Sequence, residues 1–489
     1  MPTLIVLFFV AITFLVAFLL FNTMRLIHAP AQVETLELPQ VDGERAAKHL
    51  AEAVRIPTVS KQVMTEEDLK PFKELHSWLE RTYPAVFASL EKRVINGHSL
   101  LLRWKGQNSK LQPVLFFAHM DVVPVDEARL QDWHHKPFGG EIADGNIWGR
   151  GAMDMKGQLV GMLEAVETLL AEGYAPQRTF YLAFGHDEEI MGFKGAVKIV
   201  EHLKNEGINL AAMLDEGGSI MQGTIPGVTV PVALVGIAEK GYLTVNISSE
   251  AAGGHSSTPP RQSALGVVAR ALALIDDAQL PARLDFMKRS LTPIAFLLPF
   301  INQVALANSW LFKPLLVRLM QKTPGTNALI RTTKASTMIS GGVKDNVLPS
   351  KVEAKLNCRL LPGETVPGML DFLKRVVHDP RVKIEIDDGL GWEASAISPT
   401  DTSAYRTLEL VIRQVFNGIP VAPTIMLGGS DSRHFQPVCR NIYKFSPYLV
   451  NPDILKGMHG IDERMSKDSL ERMVAFFIRL ARVWGEAEF

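Results

Sequence analysis

The chain has 489 residues, with 51 Lys and Arg against 52 Asp and Glu, a formal charge of −1, and 47% hydrophobic against 21% charged residues. That length holds two or three domains at ~100–200 residues each, and the balanced charge argues against a nucleic-acid partner. Only Cys358 and Cys439 are present, so a disulfide framework and a thiolate zinc site are excluded, one bridge is the most the chain can form, and any metal must be held by His and carboxylates.

The first element is apolar. Leu4–Phe21 is almost uniformly hydrophobic, and no charged side chain precedes Arg25. At ~1.5 Å per residue the run reaches ~27 Å, close to the ~30 Å core of a bilayer. A cleavable signal carries a cationic start and a shorter apolar core. The reading is therefore a single-pass transmembrane helix over residues 1–24, with a secreted form cut near Ala29–Ala31 as the alternative. Arg25 and His28 after the span give only a weak orientation signal. Residues 25–44, with their Pro, Gln and acidic residues, read as a linker, and Ala46–Val54 opens the folded region.

Three apolar runs come next, at Pro113–Ala118, Arg178–Phe184 and Leu210–Leu214. Runs without polar alternation fit buried parallel strands. Between the first two, Leu159, Met162, Leu163, Val166, Leu169 and Leu170 recur at helical spacing until Gly173. Strand, helix, strand in that order predicts an α/β catalytic domain with a mainly parallel central sheet. Residues 240–387 have another texture. Tyr242–Ser248 alternates with period two, and so do Val352, Ala354, Leu356, Cys358 and Leu360 between polar neighbours. Helical patterns at Ser263–Ile275 and Val366–Val377 interleave with them. This predicts an inserted α+β domain, ferredoxin-like in order, acting as a lid or dimerisation domain. The catalytic domain is thus expected in two parts, residues 45–239 and 388–489, closing with a helix from Ser466 to Trp484. Within the insert, Phe286–Met320 is unusually apolar but broken by Pro293, Pro299, Pro314, Lys313 and Arg318, too much so for a second span. It is expected either to pack on the small sheet or a dimer partner, or to line an apolar entrance for an acyl chain.

Each apolar run ends in groups that can hold a metal. The first ends in His119-Met-Asp121, the second in His186-Asp-Glu188-Glu189, the third in Asp215-Glu216. Ligands gather beyond the carboxyl ends of such strands, and polar groups abutting three buried runs are costly unless they converge. His119 and Asp121, two apart on extended backbone, point the same way, so the carboxylate can fix the imidazole tautomer. A glycine-rich turn, Gly149–Gly157, presents Asp154, and Gly457-Met-His459-Gly460 presents a late histidine. Glu188 and Glu189 diverge as neighbours, so one can bind a metal while the other handles a proton.

These motifs resemble the zinc aminoacylase/carboxypeptidase family. The matching blocks are FFAHMDVVPV, WGRGAMDMKG, GHDEEIMG, LDEGG, GGHSSTPP, NCRLLPG, GGSDSRHF and GMHGIDER, spread over about residues 45–485. LDEGG, GGHSSTPP and GGSDSRHF are most similar to the Gly-X carboxypeptidase (carboxypeptidase S) branch and its N-fatty-acyl amino acid hydrolase relatives. The resemblance implies two zinc ions per subunit, with Asp154 bridging, His119 and Asp215 completing one site, and Glu189 and His459 the other. It implies Glu188 as general base and Asp121 as the group that orients the metal-bound His119. It also implies His255 as an oxyanion-stabilising group, often supplied by the partner subunit of a homodimer, and Arg359 as the substrate-carboxylate ligand. The expected reaction is hydrolysis, by a metal-activated water, of a peptide or N-acyl amide bond next to a free carboxylate. The alternatives are a small-substrate aminoacylase or dipeptidase and, outside enzymes, a membrane-tethered binding protein. Glu188 argues against the last, because a pure binder has no need of a base beside a ligand glutamate.

Overall fold

The computed structural model describes residues 2–34, 36–487 and 489, so Met1 of the expected anchor and Thr35 of the linker lie outside the described residues. The three apolar runs form the adjacent strands Val114–His119, Phe180–Gly185 and Ala212–Asp215. The first pairs in parallel with both others. Every residue of all three is buried, which is why their sequences lack polar alternation. They lie inside a ten-stranded sheet. Its centre is parallel, while the hairpin of Glu91–Ile95 and Ser99–Trp104 adds an antiparallel edge. Helix Lys156–Ala171 packs against the first strand, and the C-terminal helix Lys467–Glu486 covers that helix in turn. The expected stripe of Leu470, Met473, Val474, Phe477 and Leu480 is wholly buried, each such side chain contributing ~1.5–3 kcal/mol of burial.

A second, four-stranded antiparallel sheet begins at Gly241, with only Lys240 separating it from the large-sheet strand Val232–Glu239. Its strands in chain order are Gly241–Glu250, Thr333–Gly341, Lys351–Leu360 and Val382–Trp392. Helices Ala264–Asp277 and Val366–Val377 pack together on one face. The alternating residues Val352, Ala354, Leu356, Cys358 and Leu360 all point into that core. The chain order is therefore strand, helix, strand, strand, helix, strand, the ferredoxin-like order, and the last strand continues to Trp392, past the expected end at 387. Cys358 and Cys439 are buried and free, the first in this core and the second under the large sheet, so the one bridge the sequence allows is not formed.

The apolar insertion folds as four short α-helices, Asp285–Leu291, Phe300–Ala307, Ser309–Met320 and Pro324–Ile330, with a 3-10 helix at Thr292–Leu297 between the first two. It does not cover the small sheet, one of the packings the sequence reading left open. Its buried side chains, Met287, Ile294, Leu306, Leu316 and Ile330, share a cluster with Val232 and Ala422 of the large sheet. It also touches the N-terminal helix Pro2–Leu26, whose apolar length is otherwise exposed.

Candidate metal centre

The ends of the large-sheet strands, the Asp154 turn and the His459 loop bring most of the expected residues together. His119 is the last residue of its strand and is fully buried. Its Nδ1 lies 2.9 Å from the backbone oxygen of Asp121, which fixes the ring and leaves Nε2 facing Asp154 Oδ1 at 3.1 Å. The other oxygen of Asp154, Oδ2, faces His459 Nε2 at 2.9 Å. One carboxylate therefore addresses two imidazoles from two directions. Glu216 Oε1 stands 3.5 Å from His119 Nε2, and Glu189 Oε1 stands 3.3 Å from His459 Nε2. The result is two donor sets that share Asp154, namely His119–Asp154–Glu216 and Asp154–Glu189–His459, with each set's ligand atoms within 4.8 Å of one another.

The turn that presents Asp154 is built by close approach. Gly151 has φ of +85°, and a Cβ there would meet Val122 at 2.5 Å, so only glycine fits. Glu463, fully buried, accepts hydrogen bonds from the backbone N–H of Met153 and of Asp154 at 2.9 and 3.0 Å, and pairs with Arg150 at 2.6 Å. Arg150 also donates to the carbonyl of Gly460 at 2.8 Å, tying the His459 loop to the Asp154 turn. Sequence reading missed both residues as site builders. The signal available was an acidic residue in the GMHGIDER block and an arginine in the WGRGAMDMKG block.

Asp121 does more than orient His119. Its Oδ1 and Oδ2 accept the backbone N–H groups of Glu188 and Glu189, both at 3.1 Å, and Oδ2 also accepts from Ser60 at 2.7 Å. It thereby sets the short turn Glu188–Ile190 that aims Glu188 at the His119 side of the centre. Burial pushes the Glu188 carboxyl well up, reinforced by the Asp431, Glu189 and Asp121 carboxylates and opposed by His119. The Asp154 and Glu189 carboxylates push His459 up to about 10. For His119, burial works against charge, but Glu216, Asp121 and Asp154 outweigh it and raise the ring well above its usual value. The carboxylates of Asp121, Asp154, Glu188, Glu189 and Glu216 outnumber the two imidazoles and leave an anionic excess in a site buried except on the His459 side. Glu189 Oε1 accepts no hydrogen bond there, which fits a cation held between these groups.

Asp215 is not brought to the centre. It ends strand Ala212–Asp215 fully buried, and its Oδ2 accepts the backbone N–H of Ser432 at 3.0 Å. Adjacent residues of an extended segment face opposite sides, so with Asp215 turned to Ser432 it is the next residue, Glu216, that reaches His119. The donor set around His119 thus contains Glu216 rather than the expected Asp215. His255 and Arg359 also lie outside both donor sets. His255 is exposed on the short strand Gly254–His255 and bonds to Ser257 at 2.7 Å. Arg359 lies over the Tyr242 ring at 4.6 Å, Tyr242 stacks on Trp392 at 4.8 Å, and Arg433 covers the far face of that system at 4.9 Å from Trp392. Arg433 in turn donates to the carbonyl of Met191 at 2.8 Å, just after the Glu188–Glu189 turn.

Each donor set has one imidazole, one carboxylate of its own and a shared bridge. That leaves room in each for a further ligand, as hydrolytic metal sites require. A metal-dependent hydrolase is the class this fold and donor arrangement define. The chain belongs to peptidase family M20/M25/M40, whose model matches residues 115–483. It is 38% identical over 492 residues to the N-fatty-acyl-amino acid synthase/hydrolase PM20D1 of Xenopus tropicalis, covering 98% of this chain and 94% of that protein. It is 36% identical over 482 residues to a probable carboxypeptidase S-like 2 of Dictyostelium discoideum, covering 95% and 91%. The fold matches that of an M20 family metallo-carboxypeptidase from Sulfolobus solfataricus, with a TM-score of 0.66 at 16% identity over 90% of this chain and 99% of that one. It also matches human carnosine dipeptidase 1, with a TM-score of 0.61 at 16% identity over 90% and 97%.

Proposed function

We propose that the protein hydrolyses the amide bond of an N-acyl amino acid or small peptide next to a free carboxylate, at a centre of two zinc ions, while held to a membrane by its N-terminal helix. The observation that carries this reading is Asp154, whose two oxygens face two separate imidazoles. His119, Asp154 and Glu216 would hold one ion, and Asp154, Glu189 and His459 the other. When bound, such a pair supplies Lewis acidity toward the scissile carbonyl and lowers the pKa of a coordinated water toward ~7. Glu188 takes the proton of the attacking water and returns it to the leaving nitrogen. Asp121 keeps Glu188 in place through the backbone of the turn. Arg359 takes the substrate carboxylate in a two-pronged grip, and His255 serves the site of a partner subunit in a homodimer. The acyl-amino-acid side of the reading draws support from the 38% identity to PM20D1 across nearly the whole chain.

The test is Glu188→Ala in protein loaded with zinc. We expect kcat to fall by roughly two to four orders of magnitude, with two zinc ions per chain still found by elemental analysis. Substantial residual activity would remove Glu188 from the mechanism. Substrate class is read separately, from kcat/KM along a series from acetyl to long-chain acyl amino acids and against dipeptides. Each buried methylene contributes ~0.8 kcal/mol, so a rising acyl series supports the acyl reading and a flat one favours dipeptides.

A further inference from the structure

We propose that the helical insertion from Asp285 to Ile330 is a membrane-docking platform that lies on an anionic phospholipid bilayer beside the N-terminal helix, with Asn308 as the clamp between them. The proposal rests on the reading of that helix as a membrane span, and is independent of the hydrolytic centre.

The clamp is a closed set of polar contacts. Asn308 is fully buried and Thr23 is 1% exposed, although both belong to strongly apolar segments. Asn22 Nδ2 donates to Asn308 Oδ1 at 2.9 Å, and Asn308 Nδ2 donates to the carbonyl of Leu19 at 3.1 Å. The hydroxyl of Thr23 donates to that same carbonyl at 2.7 Å. Side-chain amides buried at a helix–helix contact without such partners would be costly, and satisfied ones fix one register. The contact sits on the last two turns of the helix Pro2–Leu26.

That position sets the depth of the insertion. Phe18 belongs to the apolar run Leu4–Phe21, and Trp310 packs edge-on against Phe18 with ring centroids 6.4 Å apart. Placing Leu4–Phe21 across a bilayer puts Trp310 at the edge of the hydrocarbon, the depth that tryptophan favours. Phe300, Ile301 and Trp310 are 61%, 72% and 60% exposed. In water such a patch is a liability. Next to a span its surroundings are lipid.

Charge selects the kind of lipid. From Asp285 to Ile330 the chain carries Lys288, Arg289, Lys313, Arg318 and Lys322 against one acid, Asp285, which pairs with Arg283 at 2.9 Å. Short helices with exposed Phe, Trp and Leu and a cationic excess suit an anionic interface. The helices run for 7 to 12 residues, too short to span a bilayer. A second copy of the chain could also cover the patch, but the adjoining helix, exposed along its apolar length, needs lipid around it in either case.

The test uses the full chain in vesicles of equal parts phosphatidylcholine and phosphatidylglycerol. Single cysteines carry a spin label, and Cys358 and Cys439, both buried, leave the introduced thiol as the reactive one. The variants are Ile301→Cys and Leu311→Cys in the insertion, Val10→Cys in the helix, and Val343→Cys as a water control, since Val343 is 92% exposed on the small-sheet side. Turnover of a short, soluble substrate checks folding. We expect labels at 301 and 311 to have a several-fold higher ratio of oxygen to nickel-chelate accessibility than the label at 343, and to sit shallower than the label at 10. In phosphatidylcholine alone, the 301 and 311 labels should move toward the aqueous value. Values at 301 and 311 equal to that at 343, with 10 in lipid, would overturn the platform and spare the anchor. An aqueous value at 10 would overturn both. Dipolar broadening between 301 labels without lipid accessibility would assign the face to a second copy instead. Asn308→Leu should raise label mobility at 301. Unchanged mobility would overturn the clamp.

Discussion

The large sheet and the small sheet treat their functional groups in opposite ways. On the large-sheet side, three parts of the candidate centre are backed by buried structure: His119 by the Asp121 carbonyl, Asp154 by Glu463, and the Glu188–Glu189 turn by Asp121. On the small sheet, His255 is exposed and Arg359 is held by an aromatic stack and a single hydrogen bond to Asn357 at 3.2 Å. On the proposed function, the contrast is between a centre organised before substrate arrives and groups that would meet substrate from another unit. Preorganised donors cost no rearrangement during the reaction, whereas substrate-side groups must tolerate motion between the units.

Substitutions can break this contrast, and the largest effect belongs to the shared carboxylate. Asp154→Asn should abolish binding of at least one zinc and lower kcat/KM by roughly three orders of magnitude or more, as expected for several kcal/mol of lost stabilisation. If it retained both ions, measured by elemental analysis, the bridge would be wrongly placed. Next come the neighbours Glu216 and Asp215. Glu216→Gln should lose one zinc and most activity, while Asp215→Asn should keep two, because an amide can still accept the Ser432 N–H. The reverse result would restore Asp215 as the ligand. Glu463→Gln should weaken zinc affinity ~10–100-fold, as loss of a buried supporting partner does, in a zinc competition titration. The smallest effect is expected on the small sheet. Trp392→Leu should raise KM by up to ~30-fold with little change in kcat, since a cation–π contact is worth at most ~2 kcal/mol. An equal fall in kcat with KM unchanged would place the stack in the reacting centre rather than in substrate binding.

What could be read from the sequence follows from the same physics. Val114–His119 and Phe180–Gly185 were legible because strands buried on both faces are continuous apolar runs. Val366–Val377 was legible to the residue because Thr365 caps it and Pro367 sits in its first turn. That same continuity hid the facing of Asp215 and Glu216. A strand apolar on both sides carries no alternation to say which neighbour points where. Glu91–Ile95, mostly exposed at a sheet edge, and the three-residue strand Ile442–Lys444 carry too little pattern to be seen. The insertion was legible as short apolar helices, but an apolar face does not name its partner. The large sheet and the N-terminal helix could be recognised as neighbours only in three dimensions.

The chain leaves the large sheet at Glu239 and comes back beside the same point, where Ser395 exchanges hydrogen bonds with Glu239 at 2.9 and 3.1 Å. Synthesis on the ribosome runs from the N-terminus, so the small sheet, complete by Trp392, emerges before Val421–Met426, Ile442–Lys444 and the helix Lys467–Glu486 that finish the large one. Because the two ends of the insert meet, its folding leaves the first half of the large sheet with only a short gap to close. His459 is made after the other candidate ligands, and Glu463 after it. A chain cut short before His459 therefore holds only His119, Asp154, Glu189 and Glu216, and the donor set around Glu189 stays incomplete until the His459 loop is added.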